Sequence, residues 1–346
     1  MIERILIVQT AFIGDVILIT PLIKAVREIY PNATVDVMVV PVAAKLLENN
    51  PHVNTVISYP KRKNAILTML QMITNIRSKR YNLVISPHSS ARTHILLWLA
   101  RIPIRIGFDR GPAPWLLTAK IKHPNNMHKI NKNLALLKLL SPLDFGMQTE
   151  LFPSVLDKEK ADILCQPFMR KPIIAIAPGS IWATKCWDIE CYRDLCLQLL
   201  DNGCAIVLIG GDTDKEKCEY LEHAAQLHDK QASILNLSGK TNLLESAAVI
   251  TKCKLMLCND SGALHIANAM KTRVFAFFGP TVPAIGYYPY REGDKVFQTE
   301  LSCRPCGSHG SAKCPLSHHN CMKSIYVPEV LEEVLQNLNP ITSEVT

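Results

Sequence analysis

Cys258–Thr281, CNDSGALHIANAMKTRVFAFFGPT, is the stretch from which the fold can be read. Just before it, Lys254–Cys258 (KLMLC) is a short apolar run, the form of a buried strand. Asn259, Asp260, Ser261 and Gly262 stop that strand with turn and N-cap chemistry. Ala263–Met270 reads as a helix with few bulky side chains, and Val274–Phe278 as the next buried strand. The backbone N–H groups at such a helix start point outward unpaired, which suits an anion such as a phosphate. His265 falls one turn in and can face the same ligand. A plainly capped helix in an α/β domain would carry the same residues.

Working outward through the second half, Thr241–Ile250 reads as the preceding helix and Leu235–Leu237 as a short strand. Ala205–Ile209 is another strand, ending in the loop GGDTD, whose glycine pair would let a ligand approach the backbone. Ile173–Ala177 (IIAIA) begins this β-α series. PGS follows it, then a turn with Trp182, Lys185 and Trp187. Lys185 beside a Gly-Ser turn can neutralise a phosphate as a point charge, although a surface lysine is more often simply solvated. Cys303–Cys321, CRPCGSHGSAKCPLSHHNC, opens with a zinc-like Cys-x2-Cys. Its second cysteine pair is spaced too widely for the usual pattern, so an ordered Cys/His-rich loop competes with a metal site. Pro328–Leu338 reads as the last helix.

The first half repeats the theme. Arg4–Gln9 (RILIVQ) is a strand, Thr10–Asp15 (TAFIGD) its turn, Val16–Tyr30 an amphipathic helix with Pro21 near its start, and Thr34–Val40 a strand. This β-α-β opening predicts a parallel sheet with helices on both faces. The turn lacks GxGxxG, which disfavours a dinucleotide cofactor. Asp15 sits where such sheets bind ligands, and reads equally as a cap or a general base. Lys61–Arg80 is an amphipathic helix with basic ends, suited to packing on the sheet or touching a membrane surface. Leu83–Ser86 and Arg101–Asp109 follow as strands, and His128–Leu140 as a helix. Leu151–Arg170, flanked by prolines, reads as the connection between domains.

A chain of 346 residues, 48% hydrophobic, favours two domains with full cores. No export signal and no membrane-length apolar run is expected, and twelve cysteines then imply thiols in a reducing cytoplasm. The net charge of +8 is uneven. From Asn49 to Leu143 fifteen Lys and Arg face one acid, Asp109. Residues 144–346 hold 19 basic and 24 acidic residues, a net of −5, so residues 1–143 carry +13. The first half therefore expects an anionic partner. Nucleic acid is not expected, because no nucleic-acid motif accompanies the charge.

Taken together, the motifs resemble those of the bacterial lipopolysaccharide heptosyltransferases. TAFIGDVILITPLIKAVRE resembles that family's N-terminal motif, and NLVISPHSSARTHILLWLARIPIRIGFDRGPAPWLLT its middle segment. PGSIWATKCWDIECY resembles its PGA-x-W-x-x-K-x-W segment, although Ser180 stands where members often have Ala or Thr and Cys186 where many have Arg. NDSGALHIANAM with FFGPT resembles its D-[ST]-G-x-x-H and GPT signature, and CRPC…CPLSHHNCM its cysteine-rich tail. The match runs from about Ile5 to Ile325, and is nearest the members that add the second inner-core heptose.

The resemblance implies a GT-B architecture of two Rossmann-like domains facing across a cleft. An acceptor-binding domain would span residues 1–160, rejoined by a C-terminal helix over 327–346, and an ADP-heptose-binding domain residues 171–325. It implies metal-independent, cofactor-free, inverting transfer of L-glycero-D-manno-heptose from ADP-heptose to a lipid A–Kdo core acceptor. Asp15 would be the base. Gly14, Ser180, Lys185, Asp260, Ser261, Gly262 and His265 would bind substrate, with His128 on the acceptor side. The enzyme would be cytoplasmic and visit the anionic inner membrane through Lys61, Arg62, Lys63, Arg77, Lys79 and Arg80. Two other readings stand beside it: another GT-B nucleotide-sugar enzyme, such as an epimerase, and a non-catalytic zinc or nucleotide-binding scaffold.

Overall fold

Ile5–Val8 and Ile173–Ala177 are apolar on both faces, so burying them takes a layer of helices on each side of a parallel sheet. The structure is a computed structural model and describes residues 2–61 and 65–338. It divides the chain into two units, residues 1–152 and 153–346, each built on such a sheet.

The first unit runs β1 (Arg4–Gln9), α1 (Ile13–Ile17), α2 (Thr20–Ile29), β2 (Thr34–Val39), α3 (Pro41–Ala44) and β3 (Thr55–Ser58). It continues α4 (Ala65–Ser78), β4 (Leu83–Ser86), α5 (Ala91–Leu99), β5 (Ile104–Phe108), β6 (Ala119–Ile121) and α6 (Lys129–Ala135). Its strands lie in the order β3-β2-β1-β4-β5-β6, all parallel. The helix expected over Val16–Tyr30 is two. Pro21 has no N–H to give Ile17 O four residues back, so the first helix stops and a second begins at Thr20 with the proline in its first turn. Thr20 stabilises the break: its hydroxyl donates to Ile17 O at 2.8 Å and accepts from Glu150 N at 3.1 Å. Asp15 is thus not a cap but a residue of α1's first turn.

The second unit runs α7 (Val155–Cys165), β7 (Ile173–Ala177), α8 (Ile189–Asp201), β8 (Ala205–Leu208), α9 (Lys215–His228), β9 (Ile234–Asn236) and α10 (Leu243–Ile250). It ends β10 (Leu255–Asn259), α11 (Gly262–Ala269), β11 (Arg273–Phe278), β12 (Lys295–Gln298), α12 (Asn320–Lys323) and α13 (Val327–Leu338). Its order, β12-β11-β10-β7-β8-β9, is the same topology with the same parallel pairing. Trp187, stacked on Phe277 at 4.3 Å and edge-on to Tyr192 at 5.1 Å, anchors its core. Each such aromatic pair adds ~0.5–1.5 kcal/mol beyond its burial.

The segment read as an interdomain connection contains α7, which starts on a capping box. Ser154 Oγ accepts from Asp157 N, and the Asp157 carboxylate accepts from Ser154 N. α7 packs on α10, within the second unit. The described part of the last helix, α13, packs on α8, with Val330 and Val334 in the second unit's core. The resemblance implied a helix over residues 327–346 that rejoins the first domain. Arg62, Lys63 and residues 339–346 lie outside the described residues.

Candidate active site

In an open parallel sheet, the crevice for a ligand lies beyond the carboxyl ends of the two strands where the order reverses. In the second unit these are β7 and β10. Asn259, the last residue of β10, is fully buried and joins the two strand ends. Its amide donates to Pro178 O at 3.0 Å and Gly179 O at 3.3 Å, and its carbonyl accepts from Trp187 N at 2.9 Å and Tyr192 Oη at 3.2 Å. The loop after β7, with Ser180, is thereby held beside the start of α11.

α11 begins at Gly262 behind Ser261, whose extended backbone makes no side-chain cap bond, and its first turn has no acid. Its leading N–H groups therefore present an uncapped positive helix end. Asp260, just ahead, is paired to Lys185: Nζ lies 2.6 Å from Oδ2, with the side chains 13% and 8% exposed. Thr281 Oγ1 donates to the same oxygen at 2.6 Å. His265 is buried one turn along and meets Tyr287 edge-on at 6.2 Å. At GGDTD the space beside Gly210 is taken by Asp214, whose Cβ a Cβ on Gly210 would meet at 2.7 Å, while Gly211 is exposed.

In the first unit the reversal lies between β1 and β4. Past β1, Thr10 Oγ1 is 3.2 Å from His88 Nδ1 and 3.4 Å from Thr93 Oγ1. Burial, with help from Lys61, Lys129 and His94, pushes His88 down to about 4, so its imidazole is neutral at physiological pH. Lys61 is lowered to about 8, by burial first and Arg92 second. Burial also lowers Lys129, while the nearby Asp15 carboxylate works in the opposite direction. α6 packs on α2, and Asn133 Nδ2 donates to Leu18 O at 2.9 Å, which fixes Lys129 beside α1 with its buried Gly14 and half-buried Asp15. His128 is the N-cap of α6, its Nδ1 accepting from Ile130 N at 3.3 Å.

A profile of glycosyltransferase family 9 (heptosyltransferase) matches residues 69–316. The chain belongs to that family. It is 27% identical over 325 residues to lipopolysaccharide heptosyltransferase 2 of Salmonella typhimurium, covering 84% of this chain and 91% of that protein. Among solved structures, the Escherichia coli ADP-heptose lps heptosyltransferase II superposes with a TM-score of 0.79 at 25% identity, over 97% of this chain and 98% of the other. A family 9 glycosyl transferase from Veillonella parvula gives 0.83 at 20% identity, over 97% of both chains. The heptosyltransferase thus has the GT-B fold of these relatives.

Its cysteine-rich segment acts as a brace for the second-unit site. Thr184, next to Lys185, exchanges hydrogen bonds with Ser311: its N–H and hydroxyl donate to Ser311 O at 3.1 and 2.9 Å, and its Oγ1 accepts from Ser311 N at 2.8 Å. Gly310 leaves room for Trp182 and Lys185, since a Cβ there would fall 2.6 Å from Trp182 Cβ. Arg304 turns its guanidinium onto the carbonyls of Phe278, Gly279, Thr281 and Thr299 and so holds the loop carrying Thr281. Two histidines of this segment are hydrogen-bonded within the brace. His319 Nε2 is 2.7 Å from Thr184 O, and His318 Nδ1 accepts from Asn320 N at 3.0 Å. Among the described residues no group of three or more His, Cys, Asp or Glu is placed to hold a metal ion. All twelve cysteines are free.

Six of the sequence-derived residues, Ser180, Lys185, Asp260, Ser261, Gly262 and His265, thus border one strand reversal. Asp15, Gly14 and His128 lie near the other. Sequence reasoning missed Asn259 as the buried link, Thr281 and Arg304 as supports, and His88 and Lys129 as neighbours of the first-unit site. Asn259, Thr281, Arg304 and His88 lie inside motifs quoted for the resemblance, but no local signal marked their roles.

Proposed function

We propose that the heptosyltransferase moves heptose from ADP-heptose to the inner core of lipopolysaccharide, with inversion at the anomeric carbon. The buried Lys185–Asp260 pair beside the uncapped start of α11 carries this reading. A buried ion pair is a poor stabiliser of a fold, since desolvation offsets most of its attraction. Placed at a strand reversal, it equips the second unit for a diphosphate: Lys185 supplies the charge, and Asp260 with Thr281 aims it. Gly262 and Ser261 present backbone to the phosphates, with Ser180 and His265 along the same ligand. The related Escherichia coli protein is an ADP-heptose enzyme by name and supports the same donor here.

The first unit supplies the other half of the chemistry. Asp15 takes the proton of the acceptor hydroxyl as its oxygen bonds to the anomeric carbon. The bond from that carbon to the phosphate oxygen breaks, and ADP leaves with the electron pair, stabilised by Lys185 and α11. Lys129 and Lys61, with Gly14 and His128 nearby, suit an acceptor bearing sugar-acid carboxylates and phosphates, such as a lipid A–Kdo core. The excess of positive charge on residues 1–143 suits the anionic membrane that presents it. Among the described residues no helix is long and apolar enough to cross a membrane. The test is a transfer assay with ADP-heptose and a heptose-deficient core, read by mass spectrometry and by NMR of the new linkage. One added heptose of inverted configuration is expected. ADP release without addition, or retained configuration, would refute it.

A further inference from the structure

We propose that the outer faces of α4 and α5 form an apolar membrane-insertion surface that seats the first unit in the headgroup boundary of an anionic bilayer. This deepens the membrane contact proposed above and rests on that part of the reading.

α4 buries Met72, Ile73 and Ile76 against the sheet, yet its first two turns turn Ile66, Leu67 and Leu70 outward at 76%, 56% and 53% exposure. The second half of α5 is apolar all round: Leu96 and Leu97 are buried, while Ile95, Trp98 and Leu99 form an exposed stripe at i, i+3 and i+4. A surface helix ordinarily turns polar residues outward. α4 packs against α5, and so does the turn Pro114–Leu116, whose Trp115 is 71% exposed. Seven large apolar side chains are thus exposed on three elements that pack on one another, and clustered exposed apolar surface marks an interaction site.

Charge identifies the occupant. Exposed Arg92 and Arg101 bracket the α5 stripe, and exposed Arg77 and Arg80 close the end of α4. From Asn49 to Leu143 a single acid, Asp109, opposes the fifteen cations. A second copy would bring the same cations to the same face and repel. An anionic lipid surface attracts them and also accepts the apolar side chains, with tryptophan in the interfacial position it favours. Arginines around an aliphatic and tryptophan centre are the composition of a helix lying in the interface plane.

The experiment compares the full-length protein with Leu70→Glu/Trp98→Glu on vesicles of phosphatidylglycerol and phosphatidylethanolamine. Neither residue touches the sites described above. At 1 M salt, where the screening length falls to about 3 Å, electrostatic docking disappears and insertion remains. The wild type should therefore keep measurable binding at high salt. The variant should bind about ten-fold more weakly at low salt and not at all at 1 M. Brominated lipids should quench the wild type's tryptophan fluorescence, and Trp98→Phe should remove part of that quenching. On vesicle-presented acceptor the variant should lose about ten-fold in kcat/KM, while turnover of a deacylated, water-soluble acceptor stays unchanged. Equal vesicle binding by wild type and variant, absence of quenching, or a wild-type dimer in sedimentation that the two glutamates dissolve would overturn the proposal. Failure of both proteins on the soluble acceptor would refute the transfer reading alone, since binding and quenching decide insertion independently.

Discussion

Replacing Lys185 with methionine separates two roles that the structure gives one side chain. The Nζ–Oδ2 distance is 2.6 Å and both side chains are largely buried. At an effective dielectric of ~20 their attraction is about 6 kcal/mol before desolvation is subtracted. Removing one partner of a buried pair costs about 3–5 kcal/mol, because the remaining charge is stranded. Asp260 keeps the Thr281 hydroxyl and its own 8% exposure, so the expected loss in Lys185→Met is about 3 kcal/mol. For a unit of this size that lowers its melting temperature by roughly 6–12 °C. Calorimetry and the emission of the buried Trp187 report it. Lys185→Met/Asp260→Asn has no stranded charge and should regain most of the loss. ADP affinity should behave differently. It should fall roughly ten- to hundred-fold in the single variant, the range for a hydrogen bond to a charged group, and stay low in the double variant. If the double variant is no more stable than the single one, the pair is not the buried unit described. If calorimetric titration shows unchanged ADP affinity, Lys185 is not in the donor site.

Asp15→Asn should lower kcat by roughly 10²–10⁴ with donor affinity unchanged, and near wild-type turnover would remove Asp15 as the base. Arg304→Gln unpairs carbonyls on both sides of Thr281. It should weaken ADP binding several-fold and destabilise the second unit by about 1–3 kcal/mol, read by titration and denaturant melts. His88 has a folded pKa near 4, below its unfolded value of about 6.5, so the unfolded chain binds the extra proton. Its contribution to stability is complete above pH 6.5 and is lost as pH falls from there towards 4; denaturant melts of His88→Gln should show a flatter slope across that window. A strong chelator should leave turnover intact, and loss of activity restored by zinc would reverse that expectation.

The fold was legible because buried strands and capped helices leave local marks. RILIVQ, LVIS and IIAIA became strands at the bounds their apolar runs set. The break at Thr20 was legible in principle from Pro21. α7 was legible too, from the Ser154-x-x-Asp157 box, but three nearby prolines outweighed it. The donor-side residues could be read because they cluster in two short motifs. The supports could not, since their contacts are long-range. Arg304 reaches carbonyls up to 26 positions away, and Asn259 links loops 80 and 81 positions apart. The basic excess was visible as a sum, but not its division. Lys61 is partly buried near His88, Lys79 is paired to Asp36 at 2.9 Å, and Arg77 and Arg80 remain exposed.

The strand order also sets a schedule for synthesis. The middle of each sheet is a pairing between strands distant in sequence: Ile5 pairs with Leu83, 78 positions later, and Leu255 with Ile174, 81 positions earlier. A ribosome adding ~5–20 residues per second leaves β1 without β4 for about 4–16 s, and β7 without β10 for as long. During that interval β1–β2–β3 can form only half a sheet, with the fully apolar edge of Ile5–Val8 open to solvent or to another nascent chain. Each half then closes only by a long loop search, which is slow for parallel sheets. The nascent heptosyltransferase therefore passes twice through a state that needs protection, once in each unit.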